Sequence, residues 1–259
     1  MHTLLLDSDD VRANAPMAKL VSALEEAFGA YQRGDARMPA KSYIDLPEYN
    51  GDFRSMPAYL NVSGDTTEDG EGWDAAGIKW VNVHTDNRTE YGLPTVLGTM
   101  IYSDPKTAFP LAIMDGRELT MLRTGAAAAV ATDHLAIEDA TSLGIVGAGV
   151  QSYTQLEAIA AIRPIEEVVV SDVDAERAAA FIEQFEDRFE IRAGSVAEAA
   201  SCDVLSTVTP VESPIVDRGM VGEHTHINAI GADAAGKHEL ADEILLDATL
   251  VIDDYEQTT

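Results

Sequence analysis

The chain has 259 residues and is strongly acidic, with 45 Asp and Glu residues against 17 Lys and Arg and a formal net charge of −28. Such a charge repels phosphates and anionic lipid headgroups, so we expect neither a nucleic acid nor a membrane partner. The acidic excess is larger than solubility requires and predicts adaptation to high salt, which screens self-repulsion. The alternative is an ordinary acidic protein.

The amino terminus and the cysteine content predict the compartment. Residues Met1 to Asp10 lack the basic start and long apolar stretch of a signal peptide, and no run of about 18 uncharged apolar residues occurs. The single cysteine, Cys202, excludes an internal disulfide and a cysteine-based zinc cage. We expect a soluble, cytoplasmic protein of two domains with no metal site, in which Cys202 is buried as a small apolar residue.

The first half of the chain predicts an α+β domain. Apolar residues recur at three- and four-residue spacing from Ala15 to Gly34, which predicts an amphipathic helix that ends at the glycine. The acidic, glycine-rich segment Ser63 to Asp74 is interpreted as a solvated hairpin loop. Turn residues separate five strand candidates: Ser42 to Leu46, Ser55 to Val62, Ile78 to Val83, Thr95 to Tyr102 and Pro110 to Met114.

The second half alternates strands with helices after an alanine-rich connecting helix, Arg117 to Leu135. Six strand candidates alternating mostly with helices predict an α/β fold with a doubly wound parallel sheet of Rossmann type. They are Ser142 to Val146, Glu167 to Ser171, Glu190 to Arg192, Val204 to Val208, His226 to Ile230 and Thr249 to Asp253. The expected domains are residues 1–116 and residues 117–259.

A glycine-rich turn follows the first strand of the second domain. Gly147-Ala-Gly149-Val-Gln-Ser152 has the G-x-G-x-x-G pattern except for its last position, where Ser152 is small enough for close packing of helix on strand. Gly147 permits the tight turn and Gly149 lets the backbone approach a pyrophosphate, while the amino terminus of the next helix, Tyr153 to Ile162, supplies amide donors. The pattern predicts a dinucleotide site. A glycine turn in a ligand-free sheet is the alternative.

An acid at the end of the next strand indicates which dinucleotide binds. Asp172 lies about 25 residues after Gly147, where a carboxylate accepts the ribose hydroxyls and repels a 2′-phosphate. Val173 and Asp174 follow it, rather than an arginine. NAD is therefore favoured over NADP.

Six ordered motifs span essentially the whole chain: Arg54-Ser-Met-Pro-Ala-Tyr-Leu60, Gly77-Ile-Lys79-Trp-Val-Asn-Val-His84, Leu122-Arg123-Thr-Gly-Ala-Ala-Ala, Gly147-Ala-Gly-Val-Gln151, Gly231-Ala-Asp233-Ala-Ala-Gly-Lys-His-Glu-Leu240 and Val251-Ile-Asp-Asp-Tyr-Glu-Gln-Thr258. Together they resemble the ornithine cyclodeaminase/μ-crystallin family, and within it the archaeal type of alanine dehydrogenase. The resemblance implies hydride transfer between an amino acid Cα and NAD(P), giving an imine that water or an internal amine attacks. It also implies homodimerisation through the sheet of the first domain, which would also bind the substrate.

The resemblance implies roles for residues of both halves. Lys79 would contact the substrate carboxylate and polarise the carbonyl or imine, Arg123 would hold the carboxylate, and Asp233 would handle amine protons beside the nicotinamide. Lys79 and Asp233 are thus the predicted catalytic residues, and the predicted substrate contacts are Arg54, Met56, Lys79 and Arg123. The predicted cofactor contacts are Thr124, Gly147, Gly149, Val150, Gln151, Asp172, Thr207, Val208 and Asp233.

The residues themselves agree with these roles, although each allows a structural alternative. Lys79 lies inside the apolar run Ile78-Lys-Trp-Val, where its charge needs a carboxylate partner or a lowered pKa. A snorkelling edge-strand lysine is the alternative. Arg123 has the planar fork that suits a carboxylate, with an ordinary salt bridge as the alternative. Asp233 follows the fifth strand at the edge where open α/β sheets bind ligands, and a turn-forming Asp is the alternative.

Arg54 narrows the choice of substrate. Cyclodeaminases of the family carry a glutamate two residues before the Met-Pro pair to hold the distal amine of the substrate, whereas this chain has Arg54 before Ser55-Met56-Pro57. A cation there repels a second ammonium, which favours L-alanine and pyruvate as the first pair to test. The alternatives are an ornithine cyclodeaminase, a cyclic imine reductase and a μ-crystallin-like small-ligand binder.

The chain departs from the family pattern in two places. Ala235 stands where related loops often have a proline before Gly-Lys. The sequence ends at Thr259, where family members continue with further helices and with chain that returns to the first domain. We therefore expect this carboxyl-terminal segment of the family to be absent or replaced.

Overall fold

The computed structural model describes residues 2–67, 70–232 and 236–253. The chain divides into two compact units, residues 1–127 and 128–259. The division falls inside a long helix, α3, which runs from Gly116 to Leu135. No helix within the described ranges combines the length and the apolar character needed to cross a membrane.

The first unit contains a mixed sheet. Its strands are β1 (Leu4–Leu6), β2 (Ala36–Arg37), β3 (Ser42–Leu46), β4 (Gly51–Val62), β5 (Trp73–His84), β6 (Val96–Ser103) and β7 (Pro110–Asp115). They lie in the order β1-β7-β6-β5-β4-β2, and β3 pairs with β4. Only the β1–β7 pair is parallel among these described strands. Two helices precede β2, namely α1 (Ser8–Asn14) and α2 (Met17–Arg33).

Local sequence explains most of these elements. The predicted amphipathic helix is α2, and Gly34 ends it in the left-handed region at φ 82°, which glycine adopts without steric cost. In the hairpin of β4 and β5, the paired residues run from Gly51 opposite His84 to Val62 opposite Trp73. The hairpin loop predicted for Ser63 to Asp74 therefore ends before Trp73. The short elements β1, α1 and β2 were not predicted, because two to seven residues are too few to display a periodicity.

The second unit is a parallel sheet with helices on both faces. Its strands are β8 (Ser142–Val146), β9 (Glu167–Ser171), β10 (Glu190–Ala193), β11 (Val204–Thr207) and β12 (His226–Ala229), in the order β10-β9-β8-β11-β12. Its helices after α3 are α4 (Val150–Ile162), α5 (Ala175–Phe185), α6 (Val196–Ala200) and α7 (Asp242–Asp247). The order of the strands reverses between β8 and β11, which is where doubly wound sheets bind ligands. The predicted α/β class, with a Rossmann-type sheet and an α+β first domain, is confirmed.

Two apolar clusters cover the two faces of this sheet. Leu143 and Ile145 of β8 pack with Leu156 of α4 and Phe181 of α5 in one cluster. On the other face, Val146 and Val169 pack with Leu205 and with residues of α6 and α7, including Ala199 and Ile244. Strands buried on both faces read as continuous apolar runs, which is why the sequence located β8 and β9 to the residue.

The prediction of a sixth strand from Thr249 to Asp253 is wrong. Helix α7 ends at Asp247, and residues 249–253 follow without strand structure. Leu250 and Val251 are 64% and 57% exposed. Their run of apolar residues has the composition of a strand, but a strand also needs a neighbouring ladder, and none of the described strands pairs with this segment.

Candidate functional site

Lys79 lies in the middle of the sheet of the first unit. It is on β5, where the register places it opposite Met56 of β4 and Met100 of β6. Residues directly opposite each other in antiparallel strands share a face, so Met56, Lys79 and Met100 form one row across the sheet. Arg54 lies two residues before Met56 and is therefore on the same face. The structure thus brings three of the four predicted substrate contacts onto one side of one sheet.

Helix α3 supplies the partner of the Lys79 amine. The Nζ atom of Lys79 donates to the Oγ1 atom of Thr120 at 3.4 Å. The hydroxyl of Thr120 donates its own proton to the carbonyl oxygen of Gly116 at 2.6 Å, so its lone pairs face the lysine. Thr120 was not predicted from the sequence. Its spacing from Arg123 and Thr124, one helical turn, was the signal that could have identified it.

The pKa of Lys79 is lowered from its ordinary value of 10.5 to about 8. Burial of the amine is the largest cause, and the positive charges of Arg123, Lys41 and Arg54 add to it. A strongly acidic chain thus gathers four cations around one position of the sheet. This arrangement attracts an anion such as a carboxylate, and it makes both protonation states of Lys79 accessible near neutral pH.

Arg54 has a partner that the sequence analysis did not identify. Its Nε and Nη2 atoms donate to the two carboxylate oxygens of Asp52 at 3.0 and 2.7 Å. Its guanidinium carbon lies 5.6 Å from the centroid of the Tyr43 ring. Asp52 precedes Arg54 by two residues on β4, and this same-face spacing was the available signal. The pair holds the guanidinium in place and reduces its net charge.

Arg123 and Thr124 lie on α3, one turn after Thr120. The hydroxyl of Thr124 donates to the carbonyl oxygen of Thr120 at 2.7 Å. The side chain of Arg123 is exposed, and its charge is the second cause of the lowered pKa of Lys79. Arg123 therefore belongs electrostatically to the group of cations around Lys79.

In the second unit, the predicted glycine turn follows β8 as expected. Gly147 has φ 100°, a conformation that favours glycine, and its amide donates to the carbonyl oxygen of Ser171 at 2.8 Å. Gly149 caps α4, and a Cβ atom added at Gly149 would meet open space. Val150, the first residue of α4, is 55% exposed, and Ser152 is fully buried beneath the turn. The backbone at the start of α4 is therefore accessible to a ligand.

Asp172 follows β9 directly and contacts the turn. Its Oδ2 atom accepts from the amide of Ala148 at 2.6 Å, and its Oδ1 atom accepts from the amide of Asp174 at 2.8 Å. Each oxygen keeps a second lone pair for a further donor. The structure thus places the predicted ribose-binding acid against the predicted phosphate-binding turn.

Two observations test whether a dinucleotide fits this turn. The Oε1 atom of Gln151 is buried and has no hydrogen-bond partner within the described chain. Buried polar atoms are nearly always paired, so this atom lacks a donor that a ligand would bring. The open space over Gly149 leaves room for a pyrophosphate beside the amino terminus of α4. The residues fit the predicted cofactor.

Thr207 and Val208 lie at the carboxyl end of β11, next to the turn. The amide of Val208 donates to the carbonyl oxygen of Val146 at 2.9 Å, and a Cβ atom at Gly147 would lie 3.0 Å from the carbonyl oxygen of Val208. The hydroxyl of Thr207 donates to the carboxylate of Glu239, a buried residue that the sequence analysis did not assign. Asp233 and Ala235 lie outside the described residues.

Cys202 and His84 each contact residues that were not predicted to belong to the site: the Sγ atom of Cys202 donates to the carbonyl oxygen of Glu198, and the ring of His84 contacts Phe53. Burial raises the pKa of the Cys202 thiol to about 11, which makes it a poor nucleophile, and the side chain is 6% exposed as expected. His84 lies edge-on to Phe53, with ring centroids 5.5 Å apart.

The second unit has the features of a Rossmann dinucleotide-binding protein. They are a parallel sheet, a glycine turn where the strand order reverses, and an acid after the next strand. The model of the ornithine cyclodeaminase/mu-crystallin family matches residues 1–259. The chain belongs to this family.

The chain is similar to characterised members of the family over most of their length. It is 44% identical over 258 residues to alanine dehydrogenase of Archaeoglobus fulgidus, which covers 99% of this chain and 76% of that protein. An archaeal alanine dehydrogenase dimer with bound NAD superposes on it with a TM-score of 0.89 at 44% identity, covering 100% of this chain and 76% of the other. The Δ1-pyrroline-2-carboxylate reductase of Thermococcus litoralis, in complex with NADH and L-proline, has a TM-score of 0.81 at 35% identity and coverages of 93% and 72%.

Proposed function

We propose that this chain is an NAD-dependent oxidoreductase that converts an L-amino acid reversibly to its 2-oxo acid and ammonia by hydride transfer at Cα. L-Alanine is the first candidate for the amino acid. The observation that carries the proposal is the Lys79 amine, held by Thr120 among three further cations with its pKa lowered to about 8. The 44% identity to an alanine dehydrogenase supports the choice of substrate.

The first unit supplies the groups for the substrate in this proposal. The positive charge of Arg123 attracts the carboxylate, and its planar guanidinium suits two parallel hydrogen bonds to it. Arg54 adds a weaker attraction, because its guanidinium is already paired with Asp52. The protonated Nζ atom of Lys79 donates to the carbonyl oxygen, where negative charge develops as ammonia adds to the oxo acid, or to the imine nitrogen, where it develops as hydride is transferred. Thr120 limits the movement of Nζ, since it accepts from the amine and is itself fixed to Gly116.

The second unit supplies the groups for the cofactor. NAD, when bound, provides the hydride acceptor for oxidation of the amino acid. The amides at the start of α4 would hold the pyrophosphate, Asp172 would accept the ribose hydroxyls, and Gln151 would pair its buried Oε1 atom. We assign residues 117–259 to dinucleotide binding and residues 1–116 to substrate binding and dimerisation. Asp233 is proposed to exchange protons with the substrate amine.

A single assay series tests the proposal. NADH absorbance is followed with L-alanine, L-ornithine, L-lysine and cyclic imines, at salt concentrations up to the molar range because of the charge of −28. We expect NADH to form from NAD and L-alanine, and to be consumed with pyruvate and ammonia. Conversion of ornithine to proline without NADH, with no turnover of alanine, would establish the cyclodeaminase alternative. Binding of NAD without turnover at any salt concentration would establish the ligand-binder alternative.

The pH profile is expected to report Lys79. Reductive amination of the oxo acid needs the protonated Lys79 amine, so kcat/KM for pyruvate should fall above about pH 8, the pKa of Lys79. The ionisation of Lys79 does not destabilise the protein over the same pH range. Between about pH 8 and 10.5 the native state binds fewer protons at Lys79 than the unfolded chain does, so the contribution of Lys79 to the free energy of unfolding increases as pH rises. Steady-state rates and thermal unfolding at the same pH values separate the two effects, and a rate that is flat from pH 7 to pH 10 contradicts the assignment.

We also propose that the chain forms a homodimer through the sheet face opposite Lys79. Ile44, Phe53, Asn82 and Leu97 form one row across four strands of that face. Ile44 and Leu97 are 54% and 38% exposed, and Trp80 on the same face is 38% exposed. An apolar surface of this kind favours association. The structurally similar alanine dehydrogenase is a dimer, which supports a second copy as the partner.

Two neighbouring residues provide a matched test of the dimer. Leu97 and Val96 are 38% and 37% exposed but point to opposite faces of β6. Leu97→Glu is expected to shift the protein to monomers, because a carboxylate would be buried in the interface at a cost of several kcal/mol. Val96→Glu should leave the dimer intact. Light scattering after gel filtration in molar salt measures both masses, and a wild-type monomer or a dimeric Leu97→Glu protein contradicts the proposed face.

A further inference from the structure

Glu239 places a buried carboxylate beneath the carboxyl edge of the parallel sheet. Its side chain is 1% exposed and accepts three hydrogen bonds. The donors are the Oγ1 atom of Thr207 at 2.9 Å, the amide of Thr209 at 2.7 Å and the Oγ1 atom of Thr209 at 2.7 Å. A carboxylate accepts without donating, so it matches three converging donors.

The backbone of Glu239 is fixed as firmly as its side chain. Its carbonyl oxygen accepts from the amides of Ile215 and Val216 at 2.9 and 3.2 Å. Val216 also bridges to Leu240 in a parallel arrangement. The carboxylate therefore extends to the end of β11 from a backbone that is itself held by hydrogen bonds. Because Glu239 cannot move freely, its carboxylate restrains the loop after β11.

Three loops of the sheet edge are linked through Thr209, which donates to this carboxylate. A Cβ atom at Gly147 would lie 3.0 Å from the Cγ2 atom of Thr209, so the loop after β11 touches the glycine turn after β8. A Cβ atom at Gly231 would lie 2.2 Å from the carbonyl oxygen of Thr209 and 2.5 Å from the Oε1 atom of Glu239, so the loop after β12 packs against both. Only glycine fits at that distance. The position of Thr209 thus depends on Glu239 and in turn supports Gly147.

We infer that Glu239 is a positioning residue that holds the loop after β11 against the glycine turn and thereby sets the affinity for the dinucleotide. This inference rests on the proposed function. Without the carboxylate, the buried hydroxyl of Thr207 and the part-buried amide of Thr209 both lose their acceptor, and the loop must move to find another. Gly147 would then lose one of the contacts that hold its turn, and the amides at the start of α4 would be positioned less firmly for a pyrophosphate.

Asp203 provides a matched control at the opposite end of the same strand. It precedes β11, and its Oδ2 atom accepts from the amides of Thr141 and Ser142, both at 3.0 Å, and from the hydroxyl of Ser142 at 2.8 Å. The two carboxylates thus each accept three hydrogen bonds, one at the amino end of β11 and the other at its carboxyl end. Removing either carboxylate should lower the stability of the protein. Only removal of the Glu239 carboxylate should also weaken dinucleotide binding.

The experiment compares NADH dissociation constants, measured by fluorescence titration, with thermal unfolding of the ligand-free proteins in molar salt. Glu239→Met keeps the length of the side chain without its acceptors and should raise Kd about tenfold or more, since a buried donor is left unpaired. Glu239→Gln keeps one oxygen for Thr209 and should restore most of the affinity. Asp203→Leu should lower the unfolding temperature and leave Kd within about twofold.

A second pair of variants applies if Glu239→Met does not fold. Thr209→Val removes one donor to the carboxylate and should weaken NADH binding, while Thr209→Ser retains the hydroxyl and should bind like the wild type. An unchanged Kd in both Glu239→Met and Thr209→Val, or an equal loss in Asp203→Leu, overturns the inference about Glu239 and leaves the proposed function intact. A wild-type protein that binds no NADH at any salt concentration overturns both.

Discussion

Lys79→Met is expected to lower kcat/KM for pyruvate by about two to three orders of magnitude, the effect of removing one hydrogen-bond donor from a developing oxyanion. Methionine keeps an unbranched side chain between Met56 and Met100, so the loss of activity can be assigned to the missing amine. The variant should be at least as stable as the wild type at pH 7. Removing a buried charge ends its repulsion by Arg123, Lys41 and Arg54, the charges that lower its pKa. Steady-state kinetics and thermal unfolding measure the two effects.

Lys106→Met is the matched control, because the Lys106 side chain is exposed on the same unit. Its kinetic constants should equal those of the wild type, and NADH affinity should be unchanged in both variants. If Lys79→Met keeps more than a tenth of the activity, Lys79 is a structural lysine of the sheet and the proposed mechanism is wrong.

Asp172→Ser is expected to change the ratio of kcat/KM for NAD to that for NADP by about a hundredfold in favour of NADP, because removing a carboxylate from a 2′-phosphate relieves a repulsion of several kcal/mol. Affinity for NAD should fall at the same time, since serine offers fewer acceptors to the ribose hydroxyls. The Asp172 carboxylate also holds the amide of Ala148, so some of this loss arises from the turn itself. Kinetics with both cofactors measure the ratio.

Asp174→Ser controls for charge in the same loop. Asp174 caps α5 by accepting from the amides of Glu176 and Arg177, and serine is an equally good cap. The variant removes one carboxylate two residues from Asp172 and should leave the cofactor ratio within about twofold. A change of ratio equal to that of Asp172→Ser would show that the effect is one of general charge rather than of a contact to the ribose.

Much of the parallel sheet was predictable because its signals are local. The apolar runs of β8 and β9, the turn at Gly147 and the acid at Asp172 each depend on a few consecutive residues. The same reasoning was wrong for Thr249 to Asp253, where the composition is that of a strand but none of the described strands pairs with the segment. The strand propensity of a short segment favours an extended backbone, but it does not determine which strand, if any, pairs with that segment.

The sequence by itself determined the class of fold, the family and the identity of the residues that the proposal uses. Only the tertiary structure decided their partners. The register of β4, β5 and β6 put Met56, Lys79 and Met100 on one face, and the position of α3 gave Lys79 its contact with Thr120. The return of the chain after β12 brought the carboxylate of Glu239 to Thr209, thirty positions earlier in the sequence. Such contacts depend on strand register and on the path of the chain, which are set by packing between distant segments rather than by the residues next to each site.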